Sequence, residues 1–268
     1  MLIDCVIYCG EIDFYKARVE YLHDVVDKFI VIESKTYHNG KQREVDDFYK
    51  NIENFPYKDK IIYKLIDCND CFNLEMYKNY SEGEFFAREN YQRNYIKTIL
   101  EEHSEFNDND KICICDIDEI PSVDFLKNIK DETTFGVKQF CFIGLDFYYY
   151  NHTVHFKDEF YQPIIAFVNY IKNNKNISKQ RRKTLYNNIF CHHAGWHLSY
   201  FMSTDDIINK ISSFAHCNWF TDDKYKSKDI INEKIRNRQS IFNDNSIVDN
   251  VNTNIPEIFL QFENFGTE

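Results

Sequence analysis

Hydrophobic positions in the first half of the chain fall into short uninterrupted runs, and these alternate with stretches whose apolar residues recur every three or four positions. Leu2 to Tyr8 is such a run; after Gly10-Glu11, residues Ile12, Tyr15, Val19, Leu22 and Val26 take helical spacing. Lys28 to Ile32 repeats the run and ends in Glu33-Ser34, and Thr36 to Gly40 reads as a loop with turn chemistry at Asn39-Gly40. Val45 to Asn54 is expected to be a short helix, Lys60 to Ile66 a third strand, and Phe85 to Glu102 a helix with Phe85, Ile96, Ile99 and Leu100 on its apolar face. Ile112 to Cys115 has the look of a strand buried on both faces. The fold class this predicts is α/β, a mixed and mostly parallel central sheet flanked by helices. Right-handed crossovers would bring the strand ends together at one edge.

After Pro121 the pattern changes. A short helix (Val123 to Ile129) leads to aromatic strands at Phe140 to Gly144 and Asp146 to Tyr150, and Phe160 to Tyr170 reads as another strand. Lys172 to Lys183 is polar and basic, read as a solvated loop or a mobile loop that closes over an anionic ligand. Ser203-Thr204-Asp205-Asp206 caps a helix carrying Ile207, Ile208, Ile211 and Phe214, and a further helix spans about Lys228 to Ser240. Residues 1–242 are expected to form a single domain, and 243–268, rich in Asn and low in periodicity, a tail packed on the surface or partly disordered.

Charge and composition narrow the function. A net charge of −11 opposes a nucleic-acid partner. Nine Cys, several inside apolar runs, fit free thiols in a reducing compartment. No run of about 18 apolar residues exists to span a membrane. The reading is a cytoplasmic protein without a membrane anchor. Its oligomeric state is not encoded in any pattern of the chain.

The chemistry concentrates where the strand Ile112–Cys115 runs into Asp116, Asp118 and Glu119. Ligands of open α/β sheets bind outside the carboxyl ends of strands. Two acids two residues apart offer hard oxygen donors to one small cation, Mn²⁺ or Mg²⁺, in an arrangement suited to clamping a diphosphate. Arg88, Gln92 and Arg93 lie on or beside the apolar face of their helix; buried guanidinium groups need anionic partners, either these acids or the diphosphate itself. His192, His193 and His197 flank Gly195-Trp196, more imidazoles than a strand needs for packing, and His197 is the one placed to complete the cation's ligand set, with His192 structural.

In order along the chain, Gly10-Glu11-Ile12-Asp13 with Arg18, Phe29 to Ser34 with Thr36 and Gly40, Arg88 to Asn94, Asp116 to Pro121, and Ala194 to Phe201 continuing to Lys210 and Ser213 to His216 resemble glycosyltransferase family 17, the family of the β-1,4-mannosyl-glycoprotein N-acetylglucosaminyltransferase. The resemblance spans roughly residues 3 to 240. It implies a GT-A-type nucleotide-sugar transferase fold, inverting sugar transfer from UDP-N-acetylglucosamine to a glycan or glycoprotein acceptor, and a divalent cation. The chain differs from the animal members in having no amino-terminal membrane anchor and Gly10 where Asn is common, which points to a bacterial or viral setting.

The expected site follows from both readings. Asp116, Asp118 and His197 would hold the metal; Glu11, Glu33, Arg88, Gln92, Arg93, Asp116 and Trp196 would bind the UDP-sugar; Asp118, Glu119 and Asp146 would be catalytic, with Glu119, Asp146 and Asp205 as the candidate general bases. The alternatives are a metal-dependent nucleotidyltransferase or phosphohydrolase using the same acids, and a non-catalytic glycan-binding module built on the aromatic second half.

Overall fold

The structure, a computed structural model, describes residues 1–45, 48, 51–132, 139–182, 189–215, 227–241, 247–248 and 254–267. The chain opens with β1 (Leu2–Tyr8), α1 (Ile12–Leu22), β2 (Lys28–Ser34) and β3 (Ile61–Ile66). It continues through α2 (Glu84–Asn94), α3 (Ile96–Glu102), β4 (Lys111–Asp116), β5 (Glu119–Pro121) and α4 (Val123–Asp131). Then come β6 (Phe140–Ile143), β7 (Asp146–Tyr149), β8 (His155–Phe156), β9 (Ile164–Phe167), α5 (Val168–Asn173) and α6 (Ile177–Arg181). The remaining elements are β10 (Phe190–Cys191), β11 (Gly195–Ser199), α7 (Thr204–Ser213), α8 (Lys228–Arg236), β12 (Ile247–Val248) and α9 (Glu257–Leu260).

The main sheet has the order β10-β6-β9-β4-β1-β2-β3. Neighbours β3, β2, β1 and β4 are parallel, and β9 runs against both β4 and β6. The expected mixed, mostly parallel sheet flanked by helices is therefore the one found. A smaller sheet has the order β12-β8-β7-β11-β5, with β11 parallel to β7 and antiparallel to β5.

Period-two alternation assigns each residue of the central strands to a layer. Val6, Tyr8, Phe29, Val31, Cys113 and Cys115 face one cluster, shared with α1, α4, β11 and α9; Ile3, Cys5, Ile30, Ile32, Ile112 and Ile114 face another, shared with α3, α5 and α6. Both faces are covered, so the strands read as continuous apolar runs. Asp116 continues the Ile112, Ile114 series and so looks toward α2 and α6, whereas Asp4 falls on the α1 side. The aromatic strands β7 and β8 pack with α7 and α8 in a third cluster through Tyr149, Phe156, Ile207, Ile211 and Ile231.

The helix expected over Phe85 to Glu102 is two, divided at Tyr95. The strand expected over Phe160 to Tyr170 is short, since the chain turns into α5 at Val168. Part of the helix expected over Val45 to Asn54, part of the basic run to Lys183, and His216 lie outside the described residues. Of the carboxyl-terminal tail, residues 254–267 are docked: Phe259 is buried against Phe14 and Tyr21, and the Asn264 side chain donates to the carbonyl of Met202 and the Thr204 hydroxyl. Burying a side chain such as Phe259 is worth roughly 1.5–3 kcal/mol.

Candidate active site

The carboxyl edge of the parallel strands carries a balanced cluster of charges. Asp116, at the end of β4, accepts from Arg93 of α2 and, at 3.0 Å, from Arg181 of α6. Arg181 also reaches the Glu119 carboxylate, which in turn accepts the Asp116 backbone N–H. The second nitrogen of Arg93 is held by Glu89 at 2.9 Å. Burial works against the Asp116 charge, yet Arg181 and Arg93 hold its carboxyl far below the usual carboxylate range. For Glu119 burial pushes the carboxyl up, with Asp116 and Asp118 adding to it and Arg181 opposing.

Asp118 faces a different set. Its Oδ2 accepts from Lys210 Nζ of α7 at 2.8 Å, and its Oδ1 stands 3.7 Å from His197 Nε2 of β11. Burial works against its charge, but Lys210 and His197 hold it below the usual range. Burial likewise opposes the Lys210 ammonium, which Asp118 and Glu11 nevertheless hold above its ordinary value. The His197 ring is stacked on Phe147 at 4.6 Å and packed against Phe160, and burial pushes its imidazole down to about 4. It is therefore neutral at pH 7.

Beneath both acids lies Arg18. Fully buried on α1, it makes a two-pronged pair with Asp4 of β1 at 2.7 and 2.8 Å and spends its remaining nitrogen on the loop carbonyls of Ile117 (3.2 Å) and Glu119 (2.6 Å). The carbonyls on either side of Asp118 are thus clamped to the core. Leu198 N–H donates to the Asp118 carbonyl at 2.8 Å, tying the same loop to β11. Close approach of β11 to β5 requires Gly195: at φ +154°, a Cβ there would sit 2.0 Å from the Ile120 carbonyl.

The expected site residues divide on this geometry. Asp116, Asp118, Glu119, Arg93 and His197 converge, and Glu11 stands at the rim with its carboxylate accepting the Cys9 N–H. Glu33 is fully buried, paired with Arg43 at 2.7 Å and accepting from Tyr63 at 2.6 Å. Gln92 donates to the Ile32 carbonyl and meets His38, so it stitches the ends of β1 and β2 rather than facing a ligand. Arg88 is turned to Asn69, the His38 carbonyl and Glu84, under the Gly40 turn.

Other expected site residues lie in different surroundings. Asp116 does not join Asp118 and His197 in one ligand set; among the described residues the only trio of His, Cys or acid ligand atoms within 4.8 Å of one another is Asp146, Glu159 and His193. β4 ends at Asp116 and the chain turns at Ile117 and Asp118, so the two carboxylates do not share a strand face, and that of Asp116 is held by Arg93 and Arg181. Trp196, next to His197 on β11, points to the opposite face by strand alternation, where its indole donates to Asn254 and packs on Tyr21. Asp146, registered beside Trp196, turns to His193 at 2.7 Å and not to the strand-end acids. Glu119 is buried, at 1% accessibility.

Three site residues were absent from the expected set: Arg18, Arg181 and Lys210. Arg181 sits in the basic run for which the sequence offers a solvated loop or a mobile loop closing over an anionic ligand, but it follows the buried Ile177 by four positions, the spacing that shares a helix face. Lys210 follows Ile207 by three on the buried face of α7.

The family model for "Glycosyltransferase family 17" matches residues 1–247. The chain belongs to glycosyltransferase family 17. This family 17 chain is accordingly a glycosyltransferase. No curated protein shows significant sequence similarity to it. Among solved structures it is similar to an active-site mutant of LgtC, at 13% identity and a TM-score of 0.37, covering 70% of this chain and 67% of that one. It is also similar to the galactosyltransferase LgtC in complex with donor and acceptor sugar analogs, at 10% identity and a TM-score of 0.36, covering 81% and 80%. Among the described residues of the family 17 transferase, no helix is long and apolar enough to cross a membrane.

The residues fit a divalent cation at one place in the cluster. Asp118 Oδ1 and His197 Nε2 are too far apart, at 3.7 Å, to hydrogen bond, and a closure of roughly half an ångström would bring them to the spacing of neighbouring ligands on one octahedral ion, about 3.1 Å. His197 Nδ1 is buried with no hydrogen-bond partner, and Nε2 is the ring nitrogen turned to the Asp118 carboxylate.

Proposed function

We propose that this transferase moves N-acetylglucosamine from UDP-N-acetylglucosamine to a glycan acceptor, with inversion, on a GT-A-type scaffold, aided by Mn²⁺ or Mg²⁺. The observation that carries the reading is the facing pair Asp118 and His197 with Lys210 beside it, at the edge of a parallel sheet where nucleotide ligands bind. A cation bound there would supply Lewis-acid neutralisation of the leaving nucleoside diphosphate.

The protein's own residues carry the rest of the mechanism. Lys210 is a second positive charge toward the diphosphate, kept protonated by Asp118. Asp116, with its side chain 36% exposed and oriented by Arg93 and Arg181, offers a carboxylate oxygen to the ribose hydroxyls. Glu119 positions Arg181 and the Asp116 backbone, and so acts through them. Preorganisation of this kind lowers the reorganisation needed as charge develops on the leaving group.

The test is incubation with radiolabelled UDP-sugars and Mn²⁺, with a glycan mixture as acceptor. Transfer of label, or slow hydrolysis to UDP strongest with UDP-N-acetylglucosamine, supports the reading. Release of pyrophosphate or phosphate would move the chain to nucleotidyl or phosphoryl chemistry, and a preference for another sugar would overturn the donor.

A further inference from the structure

Outside the strand-end cluster, the structure assembles a second set of ligating groups that the proposed transfer does not use. Asp146 opens β7, Glu159 is drawn in by the antiparallel bridge of Leu145 to Phe160, and His193 sits in the turn between β10 and β11. One ligand atom from each lies within 4.8 Å of the others. His193 Nδ1 is 2.7 Å from Asp146 Oδ1 and 3.9 Å from Glu159 Oε1.

Their neighbours fix them from behind. Glu159 Oε2 accepts from the Tyr161 hydroxyl and meets His192 Nδ1 at 2.8 Å, while its Oε1 takes the His193 backbone N–H. Gly144 lies directly under this carboxylate, where an added Cβ would come within 2.6 Å of Oε1. The front is open. A cavity of about 630 Å³ is lined by Asp146, His192, His193, Trp196, Asp124 and Asn254, and the His193 side chain is 73% exposed.

We infer that Asp146, Glu159 and His193 form a binding site for a divalent transition-metal ion, with Asp146 and His193 at the wall of that cavity and Glu159 behind them. Two carboxylates and one imidazole are a donor set that suits Zn²⁺ and Mn²⁺, and three protein ligands leave further positions for water or a ligand from the cavity. Contacts from Tyr161 and His192 to the Glu159 carboxylate are the outer-shell hydrogen bonds that such sites use to orient their ligands. The bound ion takes the place now held by the hydrogen bond between His193 and Asp146, and it joins β7, the segment before Phe160 and the turn before β11 in one bracket. This inference is independent of the donor site, since none of its residues touches Asp118.

The experiment uses the full chain carrying Asp118→Asn, which removes the other facing pair, after chelator treatment and dialysis. Co²⁺ and Zn²⁺ are each titrated alone, without nucleotide, by calorimetry and, for Co²⁺, by visible absorption. The expected result is one equivalent bound, a raised melting temperature, and affinity lowered by about 10-fold or more in both Glu159→Gln and His193→Ala. His193 is exposed, so its variant retains the fold. Absence of binding, undiminished affinity in both variants, or a thiolate-to-Co²⁺ charge-transfer band, which would put the ion on cysteine, would overturn the site.

Discussion

Replacing Arg18 by Met tests whether the acid loop is held by one buried side chain. Arg18 and Asp4 are 0% and 2% exposed, so the variant leaves a buried carboxylate without its partner, at a cost of about 3–5 kcal/mol. It also strips the carbonyls of Ile117 and Glu119 of their donor, at about 1–3 kcal/mol each before relaxation. A loss of roughly 5 kcal/mol or more is a large share of the 5–15 kcal/mol typical of a domain. Adding Asp4→Leu removes the orphaned charge, and pairs replaced together by apolar groups are often close to neutral. The double variant should therefore regain about 3 kcal/mol in urea unfolding. It should not regain UDP binding, because the peptides flanking Asp118 remain unclamped. A double variant no more stable than Arg18→Met refutes the ion-pair argument, and one with full UDP affinity refutes the loop-anchor argument.

Other outcomes follow from the same contacts. Arg93→Lys and Arg181→Lys keep the charge but lose the forked contacts to Asp116, Glu89 and Glu119, so each should cut turnover at least ~10-fold while expression and far-UV circular dichroism stay unchanged. His197 stays neutral to about pH 4 when folded, against 6.5 for its ordinary value. Below 6.5 the unfolded chain takes up a proton that the folded one refuses, so stability is complete above that pH and falls on acidification toward pH 4, by on the order of 3 kcal/mol. Chelated His197→Gln should lose that share of the slope in urea titrations between pH 4 and 7; an unchanged slope would mean the ring is not buried neutral. Gly195→Ala puts a methyl into the Ile120 carbonyl and should lower stability by about 3 kcal/mol or more, measured by thermal melting.

The parallel half of the fold was readable because its strands are covered on both faces, which leaves continuous apolar runs such as Phe29 to Ile32 with abrupt polar ends. Asp116 and Asp118 stood out as the polar end of such a run, and His197 by the three imidazoles crowded around Gly195-Trp196. What the chain does not encode locally is who pairs with whom. Arg88 and Arg93 are five residues apart on one helix, yet Arg93 reaches Asp116 and Arg88 serves the Gly40 turn, a distinction made by where β2 and β4 end. Arg181 looked like surface charge because its neighbours Lys179 and Arg182 are solvated or half-exposed, and only its burial beside Ile177 reveals the role. The Asp146, Glu159 and His193 group joins three segments separated by 13 and 34 positions, too dispersed for any spacing rule.

The central claim is that Asp118 and His197 take a divalent cation together with the donor's diphosphate. Calorimetric titration of the wild-type chain with UDP, once with Mn²⁺ and once with excess chelator, tests it directly, with Asp118→Asn run in parallel. A cation held by Asp118 and His197 would add positive charge and direct ligation beside the diphosphate, so affinity should be at least ~10-fold higher with Mn²⁺, and that gain should vanish in Asp118→Asn. Equal UDP affinity with Mn²⁺ and with chelator, or a gain that survives Asp118→Asn, would contradict the account.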